Sequence, residues 1–307
     1  MGEQEIMIPD PSRLSDAFRR AAVRATLAPS VYNTQPWRLQ LGDARLGVFP
    51  DRARQLPVHD PAGRQLIMSC GCAVFNARAS LAADGVPIAV DRFSGGVAVG
   101  EPLAMIRVDA SAAAHDGTVS VLDKAIESRR TNIRPFTAER VPDDFIERLQ
   151  DAAARDGARL LALAGDESKF VDRQLHQALT VMQLDPAYRA ELRAWLGSQE
   201  LESPLLADRA APGAERSVLL ATDQDRPADW LLAGEALERT LLEVSLSGYA
   251  VGLSSQIAEV PSVRTRVRRA LQLDCYPHVL LRIGVAPASP ATRRRRLGDL
   301  ITLAETS

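Results

Sequence analysis

Two distant stretches of the chain follow one helical plan. Residues 71–85 read GCAVFNARASLAADG and residues 234–248 read GEALERTLLEVSLSG, so each opens and closes on glycine at the same spacing. Apolar residues recur at helical intervals in both stretches, and glycine often follows the last residue of a helix. The pattern predicts equivalent long helices that end at Gly85 and Gly248, and therefore an internal duplication.

The starts of these helices carry capping signals. Asp60 is expected to cap the first helix, with Pro61 at its first position, and Asp229 is expected to cap the second. The apolar stripes that should face the core are Leu66, Ile67, Cys70, Ala73, Val74, Ala77 and Leu81 in the first copy and Leu232, Ala236, Leu237, Thr240, Leu241 and Val244 in the second.

Matching segments surround the two long helices. The pairs are residues 18–25 and 145–152 as amphipathic helices, 37–41 and 158–163 as strands, and 86–90 and 279–285 as strands. The repeated order predicts an N-terminal half at residues 1–116 and a C-terminal half at 117–307. At roughly 185–216 the second copy holds an insertion, which we interpret as a lid over a site between the halves.

The composition is that of an ordinary globular protein. The 307 residues are 46% hydrophobic and 25% charged, with a net charge of −2. Such a chain can bury a large core and has no general positive field to attract nucleic acid. No apolar run approaches the roughly 18 to 20 residues that span a bilayer, and the first residues do not resemble a signal peptide. We expect a cytoplasmic protein with no nucleic-acid or membrane partner.

The cysteines and histidines lack metal-ligand spacing, and we predict no metal. These residues are Cys70, Cys72, Cys275, His59, His115, His176 and His278. The cysteines of the first long helix are interpreted as small buried residues, and His59 as a local hydrogen-bonding residue. No dinucleotide fingerprint, phosphate loop or nucleophile elbow occurs, and residues 94–100 are interpreted as a hairpin turn.

A polar loop separates the first helix from its strand. The stretch APSVYNTQPW, residues 28–37, holds prolines, amides and an indole, whereas the equivalent crossing in the second copy needs only residues 155–157. The added length is not required by the topology and indicates a binding function. Trp37 is expected to pack under this loop.

A run of arginines, SRRTNIRPF at residues 128–136, follows a predicted helix at 119–128. Guanidinium groups and short polar side chains on an irregular backbone suit a phosphate monoester. Alternatively, arginines at a helix C-terminus favour the helix dipole and face water, and the run alone favours this second interpretation without excluding the first. The four arginines at 293–296 are a further source of cations.

These motifs carry a family resemblance that covers most of the chain. APSVYNTQPWRLQL resembles the PSxxNxQPW flavin loop of the FMN-dependent nitroreductase superfamily, and SRRTNIRPF resembles its arginine-rich phosphate motif. In this chain the flavin loop precedes the arginine motif, an order similar to that of the duplicated Acg-like branch. The resemblance implies an α+β, nitroreductase-like fold, an intramolecular pseudo-dimer whose halves each have a mainly antiparallel sheet packed by helices.

The resemblance also implies one FMN site built from both halves. The first half would contribute Pro29, Ser30, Asn33 and Gln35, and the second Arg129, Arg130, Thr131, Asn132 and Arg134. Arg294 or Arg295 would close on the phosphate, and Leu253, Ser254 and Ser255, with Gln256, would line the isoalloxazine ring. Ile133 stands where many related sequences have arginine, so the arginine that contacts the phosphate stays open.

The implied function is an NAD(P)H-dependent FMN oxidoreductase, with hydride transfer through flavin N5 to a quinone or nitroaromatic acceptor. No catalytic residue is predicted, because the flavin carries the chemistry. An alternative is a protein that sequesters FMN beneath the lid with little turnover, with Trp195 as a candidate lid contact. A third is a structural protein that has lost the cofactor. We expect a monomer, as an internal pseudo-dimer, or a weak homodimer.

Overall fold

The structure, a computed structural model, describes residues 10–93, 100–111, 117–196 and 214–304. Its helices are α1 Pro11–Ala25, α2 Arg64–Ala83, α3 Gly117–Ile126, α4 Asp143–Arg155, α5 Gly165–Leu184, α6 Pro186–Leu196, α7 Pro227–Leu246, α8 Gln256–Glu259 and α9 Pro261–Ala270. Its strands are β1 Trp37–Gly42, β2 Arg45–Pro50, β3 Ile88–Arg92, β4 Ala104–Val108, β5 Arg159–Ala162, β6 Arg216–Thr222, β7 Ala250–Ser254, β8 Tyr276–Gly284 and β9 Ile301–Leu303.

The strands form two sheets that repeat one order. The first sheet runs β3-β4-β2-β1-β9 and the second β7-β8-β6-β5, so the first four strands of each half occupy equivalent places. All pairs within these sets of four are antiparallel, whereas β9 joins β1 in parallel. The predicted α+β class with two pseudo-symmetric halves is confirmed. The C-terminal strand crosses over to complete the sheet of the first half.

The long helices α2 and α7 cross at matching glycines. A Cβ atom at Gly71 would lie 2.2 Å from the carbonyl oxygen of Leu231, and one at Gly234 would lie 2.0 Å from that of Met68. Each glycine therefore lies against a carbonyl of the other helix, and that carbonyl belongs to the residue three positions before the matching glycine. Only glycine permits backbones to approach this closely, so the crossing marks the axis that relates the halves.

The predicted helix ends are confirmed. Gly85 and Gly248 follow the last turns with φ of +70° and +79°, in the left-handed region that favours glycine. The residue after each glycine donates its amide to a carbonyl five residues earlier, at 3.0 Å in both copies. The helix starts differ from prediction. Helix α2 begins after Gly63, although the Asp60 carboxylate still accepts from the amide of Leu66 at 2.9 Å.

Three further expectations need correction. Asp229 lies inside the first turn of α7, where its carboxylate accepts from the amide of Arg226 at 3.0 Å. The strand equivalent to β3 is β7, and the expected strand at 279–285 belongs to β8, the equivalent of β4. The insertion begins directly after β5, because α5 and α6 stand where the first half has only the β1–β2 turn. Part of the predicted lid, residues 197–213, lies outside the described residues.

Helix α2 is buried on nearly all sides. Among the described helices it has the length and apolarity that could cross a membrane, contrary to expectation, but 89% of its most apolar window is buried inside the protein. That burial is typical of a core helix. Cys70 and Cys72 on this helix are buried and unpaired, as predicted, and burial raises the pKa of both thiols.

Candidate functional site

The loop at residues 28–37 has a strained backbone. Tyr32, Asn33 and Gln35 have φ values of +44°, +55° and +48°, which side chains with a Cβ rarely adopt. The Ser30 hydroxyl accepts from the amide of Gln35 at 2.9 Å and closes the loop on itself. Such strain persists only where the surroundings hold it, and it is typical of ligand-binding segments.

The C-terminal arginines dock onto this loop. The Asn33 amide nitrogen donates to the carbonyl of Arg293 at 2.9 Å, and its oxygen accepts from Nη1 of Arg294 at 2.9 Å. The Gln35 side-chain oxygen accepts from the amide of Arg295 at 2.9 Å. The structure therefore brings the predicted amides of the first half together with the C-terminal cations. The indole of Trp37 is fully buried, as expected for a residue that supports the loop.

Arg294 and Arg295 have different electrostatic surroundings. The guanidinium of Arg295 lies 3.2 Å from the Asp51 carboxylate, which neutralises its charge. Arg294 instead donates to the carbonyl of Leu27 at 2.8 Å and forms no ion pair with the described residues. Burial and the positive charges of Arg129 and Arg130 lower its pKa to about 10. Arg294 therefore lies near those two arginines, and the negative charge of Glu238, a buried residue of α7 that forms no ion pair with it, offsets their effect only in part.

The arginine motif runs along the edge of the second sheet. Thr131 forms a parallel bridge with Val251 of β7, and the amide of Asn132 donates to the Val251 carbonyl at 2.7 Å. The Asn132 side chain bonds both the amide and the carbonyl of Arg134, so it holds the turn before Pro135. Arg134 is exposed, and its side chain makes no hydrogen bond with the described residues.

Two arginines lie near one buried acid, and the charge of a third acts on one of them. We call Arg129, Arg130 and Arg294 the arginine cluster. Arg129 is 4% exposed, and its Nε lies 3.5 Å from Oε1 of Glu238 on α7, which is fully buried. Burial raises the pKa of Glu238 to about 7. Even with Glu238 ionised, the cations outnumber the acid, and a cluster of this kind favours a bound anion.

The predicted ring-side residues lie at the end of β7. Ser254 is buried and Leu253 and Ser255 are half-buried. The next residue, Gln256, donates its side-chain amide to the hydroxyl of Tyr32 at 3.4 Å, while its side-chain oxygen has no hydrogen-bond partner among the described residues. This contact connects the end of β7 in the second half with the loop of the first.

Three ring-bearing side chains lie together beside this contact. The hydroxyls of Tyr32 and Tyr188 lie 2.8 Å apart, and the ring centroid of His59 lies 4.9 Å from that of Tyr32. Neither ring nitrogen of His59 has a hydrogen-bond partner in the described part of the chain, so its interpretation as a hydrogen-bonding residue was wrong. Burial and the charge of Arg64 lower the pKa of His59 to about 3, and the ring is neutral.

Helix α6 of the insertion is hydrogen-bonded to the first half. The Glu191 carboxylate accepts from the amides of Val58 and His59 at 3.0 and 2.7 Å. The guanidinium of Arg54 lies 4.8 Å from the ring centroid of Trp195. The described part of the insertion thus packs beside the loop, and its role as a lid stays a prediction.

Sequence reasoning missed Glu238 and Tyr188. A signal for Glu238 was present, because a charged residue within a long apolar helix is seldom buried without a purpose. Tyr188 carried no such signal, since its role depends on how α6 packs on the loop. Within the described residues no group of three or more potential ligands could hold a metal ion, and the absence of a metal stays a prediction.

Similarity to known proteins extends over nearly the whole chain. No protein-family model matches it. A Mycobacterium tuberculosis protein named "Putative NAD(P)H nitroreductase acg" is 29% identical, over 95% of this chain and 97% of its own. "Uncharacterized protein Rv3127" of the same organism is 30% identical, over 94% of both chains. A solved nitroreductase with bound FMN from Bacteroides fragilis is 14% identical, covers 57% of this chain and 93% of its own, and has a TM-score of 0.41.

Proposed function

Because the chain belongs to the Acg-like branch of the FMN-dependent nitroreductase superfamily, we propose that it is an FMN-binding, NAD(P)H-dependent oxidoreductase. The observation that carries this proposal is the arginine cluster. It draws cations from the segment after α3 and from the C-terminus, beside a loop of the first half. Such a cluster fits the phosphate of FMN, because charge-assisted hydrogen bonds to guanidinium groups are roughly twice as strong as neutral ones.

The predicted site residues take different roles in this proposal. Arg129, Arg130 and Arg294 would hold the phosphate, and Asn33 would orient Arg294 through its 2.9 Å hydrogen bond. The remaining predicted residues on this side of the site would shape the backbone around the phosphate, with Arg134 at its edge. They are Pro29, Ser30, Gln35, Thr131, Asn132, Arg134 and Arg295.

Leu253, Ser254 and Ser255 would line the ring at the end of β7. FMN, when bound, would accept a hydride from NAD(P)H at N5 and pass the electrons to a quinone or nitroaromatic acceptor. The residues of this chain would orient the ring and exclude water from it. No side-chain acid or base is assigned to the reaction.

Flavin binding and reduction test this proposal. We expect the purified protein to be yellow or to become so with FMN, and to bleach when NADH or NADPH is added without oxygen. Arg129→Ala and Arg294→Ala should each weaken FMN retention strongly, whereas Arg148→Ala, which removes an exposed arginine paired with Asp144 on α4, should retain it. A folded protein that never acquires flavin would contradict the proposal.

A flavin-sequestering protein is the alternative candidate. The hydrogen bonds of Glu191 and Tyr188 hold α6 beside the loop. They favour sequestration, because an element packed there could restrict access to the flavin ring. Both functions require bound FMN. Rapid bleaching by a reduced nicotinamide supports the oxidoreductase, and a stable yellow colour supports sequestration.

A further inference from the structure

Glu238 lies inside the arginine cluster without a satisfied hydrogen-bonding environment. It is fully buried on α7, and neither carboxylate oxygen makes a well-formed hydrogen bond with the described residues. Among the residues that the structure describes, its ion-pair contact is the 3.5 Å approach of Arg129 Nε. A buried carboxylate in this setting is expensive unless a proton or a better-placed cation neutralises it.

The groups around Glu238 come from several elements. Arg129 follows α3, Arg294 belongs to the C-terminal segment, and both favour the ionised carboxylate, as does Asn76 of α2. Cys72, also on α2, has a thiol pKa raised by burial and by Glu238, and is neutral. Burial outweighs these favourable contacts, so the pKa of Glu238 stands near 7 instead of near 4.5.

We propose that Glu238 couples phosphate binding at the arginine cluster to the uptake of a proton, so that FMN is held less tightly as pH rises. This inference rests on the proposed function, in which FMN places its phosphate at the cluster. An ionised Glu238 and a phosphate dianion compete for the same cations, Arg129 and Arg294. Protonation of Glu238 removes that competition and a repulsion between like charges in a medium of low dielectric.

The sign of the effect follows from linkage. The bound dianion raises the pKa of Glu238 above its value of about 7 in the free protein. Above pH 7, binding must therefore return a proton to Glu238, and the FMN dissociation constant rises by up to about tenfold per pH unit. The phosphate itself has a second pKa near 6, so above pH 7 it is almost entirely a dianion and adds little opposing dependence.

Titration of the full-length apoprotein with FMN, followed by flavin fluorescence from about pH 6.5 to 8.5, tests the coupling. The affinity of the wild-type protein for FMN should fall as pH rises. Glu238→Gln should bind with little pH dependence and, at the alkaline end, more tightly than wild type. Glu235→Gln is the matched control, because Glu235 is an equally buried residue of α7 whose partners are Arg78 and Arg92; it should keep the wild-type slope.

Riboflavin separates the phosphate from the ring. It lacks the phosphate, so its affinity should be the same in wild type and Glu238→Gln at every pH. Asp60, whose pKa burial raises to about 7, lies beside His59 and would affect FMN and riboflavin alike. Calorimetry of FMN binding to wild type in two buffers of different ionisation enthalpy counts the proton directly, and needs no variant.

The outcomes are distinct. A pH slope that disappears in Glu238→Gln, with proton uptake by wild type, supports the inference. If FMN binds with the same slope in both proteins, or without proton uptake by wild type, the inference is overturned while the proposed function stands. If FMN binds neither protein at any pH, the proposed function fails and the inference fails with it.

Discussion

At the scale of single residues, the attraction of each arginine for an anionic ligand depends on whether a carboxylate of the protein already binds it. Arg295 is neutralised by Asp51, whereas Arg294 depends on the neutral oxygens of Asn33 and Leu27. Arg294 also senses the charge of Glu238 but forms no ion pair with it, so it keeps more of its attraction for an anion than Arg295 does. We therefore propose that Arg294, and not Arg295, is the C-terminal arginine that contacts the phosphate.

Replacement of Asn33 tests this assignment. Asn33→Ala should weaken FMN binding by about tenfold or more, because Arg294 loses a charge-assisted hydrogen bond worth about 1.5–3 kcal/mol and with it a fixed orientation. FMN titration measures the effect. Gln177→Ala, which removes an exposed amide that binds Arg266 on the surface, is the control. Unchanged affinity in Asn33→Ala would refute the role given to Asn33.

We expect His59 to make the free energy of unfolding depend on pH. Its pKa is about 3 in the folded protein, below the value of 6.5 expected after unfolding. The unfolded chain therefore binds the extra proton, and the free energy of unfolding falls as pH drops from about 6.5 toward 3. His59→Phe keeps a ring between Tyr32 and Tyr188 and should reduce this acid sensitivity.

Urea unfolding at a series of pH values measures the difference between His59→Phe and wild type. The exposed His176 provides a control, His176→Gln, which should follow the wild-type profile. If His59→Phe loses stability on acidification as steeply as wild type does, His59 is not the neutral buried group that the structure describes.

At the scale of elements, α2 and α7 form the centre of the molecule. Their contact depends on two glycines, since a methyl group at either would meet a carbonyl oxygen of the other helix within 2.2 Å. The ends of the same helices were predictable, because the pattern of a left-handed glycine after an apolar stripe is local. The starts of these helices were harder to predict, because a turn at Gly63 moves the beginning of α2 to Arg64, beyond the proline at position 61 that was expected to open it.

Gly234→Ala tests the crossing. The added Cβ would lie 2.0 Å from the Met68 carbonyl, so the helices must separate, and we expect the free energy of unfolding to fall by at least about 1–3 kcal/mol. Gly165→Ala is the control, because a Cβ there meets nothing within 4 Å. Urea midpoints compare the two, and equal midpoints would contradict the close approach.

At the scale of the whole molecule, the halves have diverged in charge. Aligning Gly71 with Gly234 places Asn76 opposite Arg239, yet Arg239 is paired with Asp156 at 3.1 Å. Arg78 is bound by the same aspartate and by Glu235. Asp156 belongs to the short crossing at 155–157, the counterpart of the long loop. The position equivalent to the arginine cluster thus holds arginines that are already ion-paired, since Asp156 and Glu235 together bind Arg78, Arg92 and Arg239.

We expect one FMN per chain as a result. The ratio of released flavin to protein, measured on a saturated sample, checks this number, and light scattering on the same sample gives the oligomeric state. A ratio near two would show that the second position still binds flavin despite its internal ion pairs.

The C-terminal segment joins the halves. Strand β9 pairs with β1, and the amide of Leu39 donates to the carbonyl of buried Leu300 at 2.7 Å. Removing residues 297–307 should lower stability and FMN affinity together, because the segment that carries the remaining arginines would keep its hydrogen bonds to the loop but lose its anchor in the first sheet. Removing only residues 305–307 leaves β9 intact and should change neither quantity. Wild-type FMN affinity in the longer truncation would contradict this link.

Much of this protein could be predicted from local sequence. The helix ends, the long loop at 28–37 and the run of cations depend on glycine conformation, proline geometry and residue type, which act over a few residues. The strand equivalences and the true start of the insertion could not be predicted, because the place of a strand in a sheet is set by pairing with strands that are distant in sequence. The balance of charge at the site was also beyond prediction. It depends on Asp51 and Glu238, which approach the arginines only in the folded chain, where distance and burial decide which cation stays free to bind an anion.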